Sequence, residues 1–288
     1  MSYFSPADTG PIAIAIARPD GWQDPFSAPV LAYDLIRELD PYHPVAVVLN
    51  CQNYYFAEYT VGADIIMEDV YPIGINSTWS KWGTACNTTL GDCGCDNCQG
   101  NVQDVSTRLD TLLQYETWLG LWPKTKIHNP QSFHGQDYWF RDPSPDEEHV
   151  MCLLALNHGA QGIISWVYPT SQILGAAHGA LSKVVTRSPV VDFVVGGDRP
   201  HEILVAIPGT DVVDAAYWVV GKKMLVSVAN GGYVDIHQTV SISAPNATII
   251  SSVPWGSNVN WKLENFKLSV SKLPAMATSL IIVDLLGE

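Results

Sequence analysis

A chain of 288 residues that is 47% hydrophobic and only 15% charged carries enough apolar material for one large domain or two ordinary ones. Its formal charge of -14 argues against nucleic acid and against an anionic membrane face as partners, because both are themselves negative. No apolar run reaches the roughly 18 residues that a membrane span requires, so the expectation is a soluble, secreted-type surface suited to a neutral ligand.

The first ten residues, MSYFSPADTG, have neither the basic nor the apolar region of a leader peptide. Residues 12–17 (IAIAIA) form a short apolar run, read as a buried strand, which ends in Arg18-Pro19-Asp20-Gly21. Residues 25–39 follow as a helix on which Val30, Leu31 and Leu35 contrast with Asp34 and Glu38. The breaker Asp40-Pro41-Tyr42-His43-Pro44 comes next. Residues 45–50 (VAVVLN) and 63–67 (ADIIM) are two more strands, the second running into Glu68-Asp69-Val70-Tyr71-Pro72.

A polar loop spans residues 73–103, and a loop of that length is usually functional or stapled. It contains Cys86, Cys93, Cys95 and Cys98. Cys95-x-x-Cys98 with Cys86 and Cys93 has enough ligands for a closed zinc site. The tight spacing favours a disulfide-stapled loop in an oxidising compartment, and a thioredoxin-like motif lacks its strand and helix. Cys51 and Cys152 lie at apolar segments as buried thiols. Three sequons, at Asn76, Asn87 and Asn246, agree with an extracellular setting.

Residues 104–118 read as an amphipathic helix with Val105, Leu109, Leu112, Leu113 and Tyr115 on its apolar side. Residues 126–133 are a weaker strand. Ser144-Pro145-Asp146-Glu147 is a capping box that starts a helix running to His158, with Gly159 as its stop. Residues 162–167 (GIISWV) are a further strand and 173–185 a further helix. Alternating strands and helices imply a parallel sheet with right-handed crossovers. Five strand signals fall short of the eight of a closed barrel. The α/β part is thus an open sheet, or a partial or complete (β/α)8 barrel, over residues 1–198. Beyond it, short strands at 203–207, 215–220, 224–228, 239–243, 248–253 and 280–285, with turns at Asn230-Gly231-Gly232 and Pro254-Trp255-Gly256, read as a small antiparallel β-sandwich over 199–288.

The segments PDGWQDP (19–25), LDPYHPV (39–45), ADIIMEDVYPIG (63–74), GDCGCDNC (91–98) and NHGAQGIISW (157–166) resemble secreted fungal glycoside hydrolases that join a (β/α)8 catalytic barrel to a β-sandwich. The resemblance covers about 190 residues of the barrel portion. It implies hydrolysis of O-glycosidic bonds of an oligo- or polysaccharide, without cofactor. Two departures stand out. The first three strand–helix units of such a barrel have no counterpart, as a truncated or rearranged gene product would have it. Where relatives would carry an acid ahead of the Pro of PDG, this chain has Arg18.

Glycoside cleavage uses two carboxyl groups, roughly 5–5.5 Å apart for retention or 6.5–9.5 Å for inversion, placed at the C-terminal ends of barrel strands. Asp69, directly after ADIIM, meets that position, with Tyr71 on the same side. Glu68 is expected to point to the opposite face. The strand near Phe133 offers His128, Asn129 and Gln131 in place of a nucleophile, and Gln131 can bond a sugar hydroxyl or serve as a structural amide. Arg18 cannot act as a general acid, but it can hold Asp69 in an ion pair. Asp20 is a turn residue that can stand in for the missing acid, and Glu58 is a weaker candidate. Trp22, Tyr54, Tyr55, Tyr59, Trp79, Trp82, Trp139, Trp166 and Tyr168 supply flat rings for a pyranose face, Trp166 foremost.

His43, His158 and His178 lack metal-ligand spacing, so core or cap roles are expected and no metal site. Neither GxSxG nor a P-loop nor a strand-borne GxGxxG occurs. Two rival readings keep the sugar-binding rings without turnover, or drop sugar altogether for a structural or immunomodulatory secreted protein.

Overall fold

The computed structural model describes residues 12–16, 27–49, 55–75, 99–135, 139–205 and 207–287. Arg18, Asp20, Trp22, Asn76, Asn87 and the cysteines at 51, 86, 93, 95 and 98 lie outside them. The chain divides into two compact units, Met1–Arg141 with Gly162–Trp166, and Asp142–Gln161 with Val167–Glu288.

The first unit is built on a parallel sheet. Its strands are β1 (Ile12–Ile16), β2 (Val45–Leu49), β3 (Ile65–Glu68), β4 (Thr125–His128) and β5 (Ala160–Ile163), side by side in that order. The last strand enters the unit at Gly162. The helices are α1 (Ser27–Leu39), the short α2 (Phe56–Thr60) and α3 (Asp104–Trp118). Strands β1 to β4 pair in parallel, and among the described residues the five strands of this sheet are fewer than the eight that close a barrel. VAVVL forms β2 because consecutive β-branched and apolar residues suit a strand buried on both faces, and Val45, Ala46 and Val47 are wholly buried. The pairing Leu49↔Glu68 and Glu68↔His128 brings β2, β3 and β4 to an end at one level.

The two longer helices are held differently. On α3, Val105, Leu109 and Leu112 are buried, whereas Leu113 faces outward. Glu116 Oε1 accepts from Lys126 Nζ at 2.6 Å, a buried ion pair that ties α3 to β4. On α1, the expected apolar face does not bury: Leu31 and Leu35 are exposed. A polar tie anchors this helix instead. Asp64 accepts from Tyr33 Oη (3.1 Å), Arg37 (3.2 Å) and the Val45 N–H (2.8 Å), joining α1 to the entries of β2 and β3.

The second unit opens with α4 (Pro145–Asn157), α5 (Gln172–Val185) and α6 (Val190–Val194). The capping box at Ser144 forms, the Glu147 N–H donating to the Ser144 hydroxyl at 3.2 Å and the Ser144 N–H to Glu147 Oε2 at 2.7 Å. Helix α4 is buried from Val150 through Asn157.

Two antiparallel sheets follow, formed by β6 (His201–Glu202), β7 (Val213–Val220), β8 (Lys223–Asn230), β9 (Val240–Ser243), β10 (Ala247–Trp255), β11 (Lys262–Glu264), β12 (Lys267–Val270) and β13 (Thr278–Leu285). Their orders are β10-β13-β8-β7-β6 and β11-β12-β9. Met224, Val226, Val228, Ile281 and Val283 of the larger sheet meet Val240, Ile242, Leu268 and Val270 of the smaller one in a common core. The alternate residues of β8, Leu225, Ser227 and Ala229, are buried too, on the face where α4 packs.

Where a strand is expected at 203–207, the described residues show β6 and a single Ile207↔Thr210 bridge instead. The β11–β12 hairpin was not anticipated. Its two-residue loop, Asn265-Phe266, has φ of 50° and 60°, the signature of a type I′ turn, but Phe stands where Gly normally gives the sequence signal. A non-glycine residue in that region costs about 1–2 kcal/mol. Phe266→Gly is therefore expected to stabilise the chain by about 1 kcal/mol, read as a raised urea midpoint. A lowered midpoint would mean that packing of the ring outweighs backbone strain.

Candidate functional site

The level ends of β3 and β4 place Glu68 and His128 side by side. Both are fully buried, and His128 Nδ1 is hydrogen-bonded to Glu68 Oε1. The Val70 N–H donates to Glu68 Oε2 at 3.0 Å, so both carboxylate oxygens are engaged. The Asn129 N–H donates to the Glu68 carbonyl at 3.0 Å, and the Ile164 N–H to the His128 carbonyl at 2.9 Å, which stitches the strand ends together. His128 Nε2 is buried with no hydrogen-bond partner. Strand alternation puts Glu68 on the face opposite Asp69; the structure pairs it there with His128 of the neighbouring strand end.

Asp69, the next residue, is half-buried. Tyr71 lies near enough to both carboxylates for their charge to act on its hydroxyl. Burial first, then the charges of Asp69 and Glu68, raises the Tyr71 pKa far above that of a free phenol. The hydroxyl therefore stays protonated at any working pH. Its ring sits edge-on to Phe133 and Trp139, with centroids 5.1 and 5.9 Å away.

Gln131 is a structural amide. It is fully buried, its Oε1 accepts from the Ile73 N–H at 2.9 Å, and its Nε2 donates to the Ile73 and Phe133 carbonyls at 2.9 and 3.3 Å. Each amide atom has a partner within the chain, which favours the structural of its two expected roles. Trp139 reinforces the same loop, donating from Nε1 to the Tyr71 carbonyl at 2.8 Å. Trp139, expected as a sugar platform, is thus packed inside. Tyr59 is buried as well.

Trp166, the ring expected foremost at the site, is partly open to solvent. Its backbone is fixed by the N–H bond to the Pro130 carbonyl (3.0 Å) and by the Ser132 N–H bond to its own carbonyl (2.6 Å), while 47% of the residue stays exposed. Tyr168 belongs to the second unit and is 90% exposed. Asn246 is exposed in a left-handed turn (φ 60°). Arg18, Asp20 and Trp22 are outside the described residues, as are the cysteine loop and the other two sequons.

The histidines that look isolated along the chain each find a carboxylate: His43 with Asp40 (2.7 Å), His158 with Asp214 (2.8 Å) and His178 with Glu148 (2.9 Å). Among the described residues, no helix is long and apolar enough to cross a membrane.

No protein-family model matches the sequence, and no curated protein matches it either. Solved structures do. The noncanonic maltogenic α-amylase AmyB from Thermotoga neapolitana aligns over 96% of this chain and 62% of its own, with a TM-score of 0.54 and 9% identity. The fold is glycoside hydrolase-like. An Anoxybacillus α-amylase aligns over 92% of this chain and 57% of its own (TM-score 0.52, 9% identity). Amy13B from Eubacterium rectale aligns over 91% and 56% (TM-score 0.50, 8% identity). The chain spans about three fifths of the length of these enzymes.

Removing one partner of a buried, hydrogen-bonded carboxylate–imidazole pair costs about 3–5 kcal/mol. His128→Ala, which strands Glu68, is expected to destabilise the chain by that amount in urea unfolding. The double change Glu68→Leu/His128→Leu, which removes both polar groups, is expected to cost less than the single one. A double variant less stable than His128→Ala would show that the pair contributes more than the mutual satisfaction of two buried polar groups.

Proposed function

We propose that this protein is a carbohydrate-active, glycoside hydrolase-like chain acting on O-glycosidic bonds of an oligo- or polysaccharide. The observation that carries the reading is the convergence of Asp69, the Tyr71 hydroxyl and the Glu68–His128 pair at the C-terminal end of the parallel sheet, the end at which barrel enzymes do their chemistry. The likeness in fold to amylases supports the same substrate class.

In this reading Asp69 is the reacting carboxylate, serving as nucleophile or base. Tyr71, held protonated, donates a hydrogen bond to substrate or to Asp69. Glu68 is spoken for by His128 and Val70 and positions the strand end rather than delivering a proton. Trp166 stacks on a sugar ring. Arg18 and Asp20 belong to the same proposal from the sequence: Arg18 pairs with Asp69, and Asp20 replaces a missing acid. The engagement of Glu68 favours a second reading, in which the chain binds saccharide without cleaving it. An extracellular location rests on the sequons and the cysteine loop.

The test is a panel of aryl glycosides and polysaccharides assayed with the wild type and with Asp69→Asn. Turnover that falls about 10²–10⁴-fold in the variant supports the hydrolase. Turnover that survives the change overturns the role of Asp69. Saccharide binding without turnover in the wild type selects the binding protein, and retention of no glycan on an array removes both readings. Trp166→Ala is expected to weaken saccharide binding by about 2–10-fold, measured by calorimetry with the best glycan of the panel.

A further inference from the structure

The second unit holds a cluster that neither the sugar reading nor the histidine spacing accounts for. Glu148 and Cys152 stand at i and i+4 on α4, one turn apart on a common face. His178 reaches them from α5. The carboxylate oxygen, thiol sulfur and imidazole nitrogen all lie within 4.8 Å of one another. Glu148 and Cys152 are buried, and the His178 side chain is 19% exposed, so the cluster has one side open to water. The helices are locked at this level by the neighbouring residues, His149 Nε2 lying 3.2 Å from the Ala177 carbonyl.

The arrangement exceeds what a buried ion pair needs. Glu148 Oε1 lies 2.9 Å from His178 Nε2, yet both carboxylate oxygens are buried with no hydrogen-bond partner. An unsatisfied oxygen on a fully buried carboxylate is costly, and native interiors seldom carry one without a use. We propose that Glu148, Cys152 and His178 bind one borderline transition-metal dication, of the Zn²⁺ class, with water from the His178 side as fourth ligand. Thiolate, imidazole and carboxylate together favour zinc or cobalt over calcium or magnesium, which take oxygen ligands. Metal–ligand bonds of about 2.0–2.3 Å put tetrahedral ligand atoms about 3.3–3.6 Å apart, a closing of about an ångström for the widest pair. Binding releases the thiol proton and any proton shared between His178 and Glu148, and the metal's charge takes over the neutralisation that this proton supplies.

The experiment titrates Co²⁺ into the reduced full-length wild type, Cys152→Ser and His178→Ala, following the thiolate-to-cobalt charge-transfer band and counting bound metal. Near-ultraviolet circular dichroism checks that each variant is folded. The proposal expects the wild type to bind one equivalent more than either variant and to show a band that Cys152→Ser lacks. Any metal held by the loop cysteines is common to all three proteins and cancels. Equal stoichiometry across the three, or no thiolate band in the wild type, overturns it. Should a variant fail to fold, alkylation of Cys152 in the native wild type decides, read on the peptide that contains it. A buried thiol reacts through opening of its surroundings, so Zn²⁺ at ten times its dissociation constant is expected to slow that labelling about tenfold. An unchanged rate overturns the proposal.

Discussion

Register is the constraint on which the head of the parallel sheet depends. Because Leu49, Glu68 and His128 occupy matching positions on β2, β3 and β4, an acid and an imidazole meet at adjacent strand ends and bury together. A slip of one residue in β3 would turn Glu68 to the opposite face and bring Asp69 or Met67 into its place. The pairing thus decides which carboxylate is locked and which is left half-exposed. Once Glu68 is committed, Val70 is fixed by its bond to Oε2, and Tyr71 and Ile73 follow, held through their backbones by Trp139 and Gln131.

The alternation of strands and helices was legible because its signals are local. Continuous apolar runs gave β2 and β3, and Ser144-Pro145 with Glu147 marked the start of α4 to the residue. What was not legible depends on partners distant along the chain. Gln131 reads equally well as a ligand-binding or a structural amide until Ile73, 58 residues away, is placed against it. Glu68 and His128 are 60 residues apart, yet they are the last residues of two neighbouring strands. Matching strand ends was the signal that would have found them. Leu31 and Leu35 misled for the converse reason: amphipathic spacing predicts a buried face only where something packs on it.

Polar ties recur wherever elements must be aimed. Asp64 joins α1 to two strand entries, and the Glu116–Lys126 pair joins α3 to β4. Each is directional in a way that apolar contact is not, and each lies at the border between a helix and the sheet. In the second unit, carboxylates on α4 take the same part, with Tyr233 donating to Glu147 at 2.5 Å and Glu148 facing His178. These carboxylates, buried or half-buried, fix geometry that apolar packing alone would leave free.

The double burial of β8 has a practical meaning for dissection. Cutting the chain where helices give way to strands would peel α4 from the larger sheet and lay bare Leu225 and Ala229, with Leu280 and Ile282 of β13 on the same side. That strip would be a broad greasy panel on a flat sheet, the kind of surface that drives self-association. The strand-rich tail is therefore better regarded as the lower half of a helix–sheet–sheet stack than as an appendage that can be expressed alone.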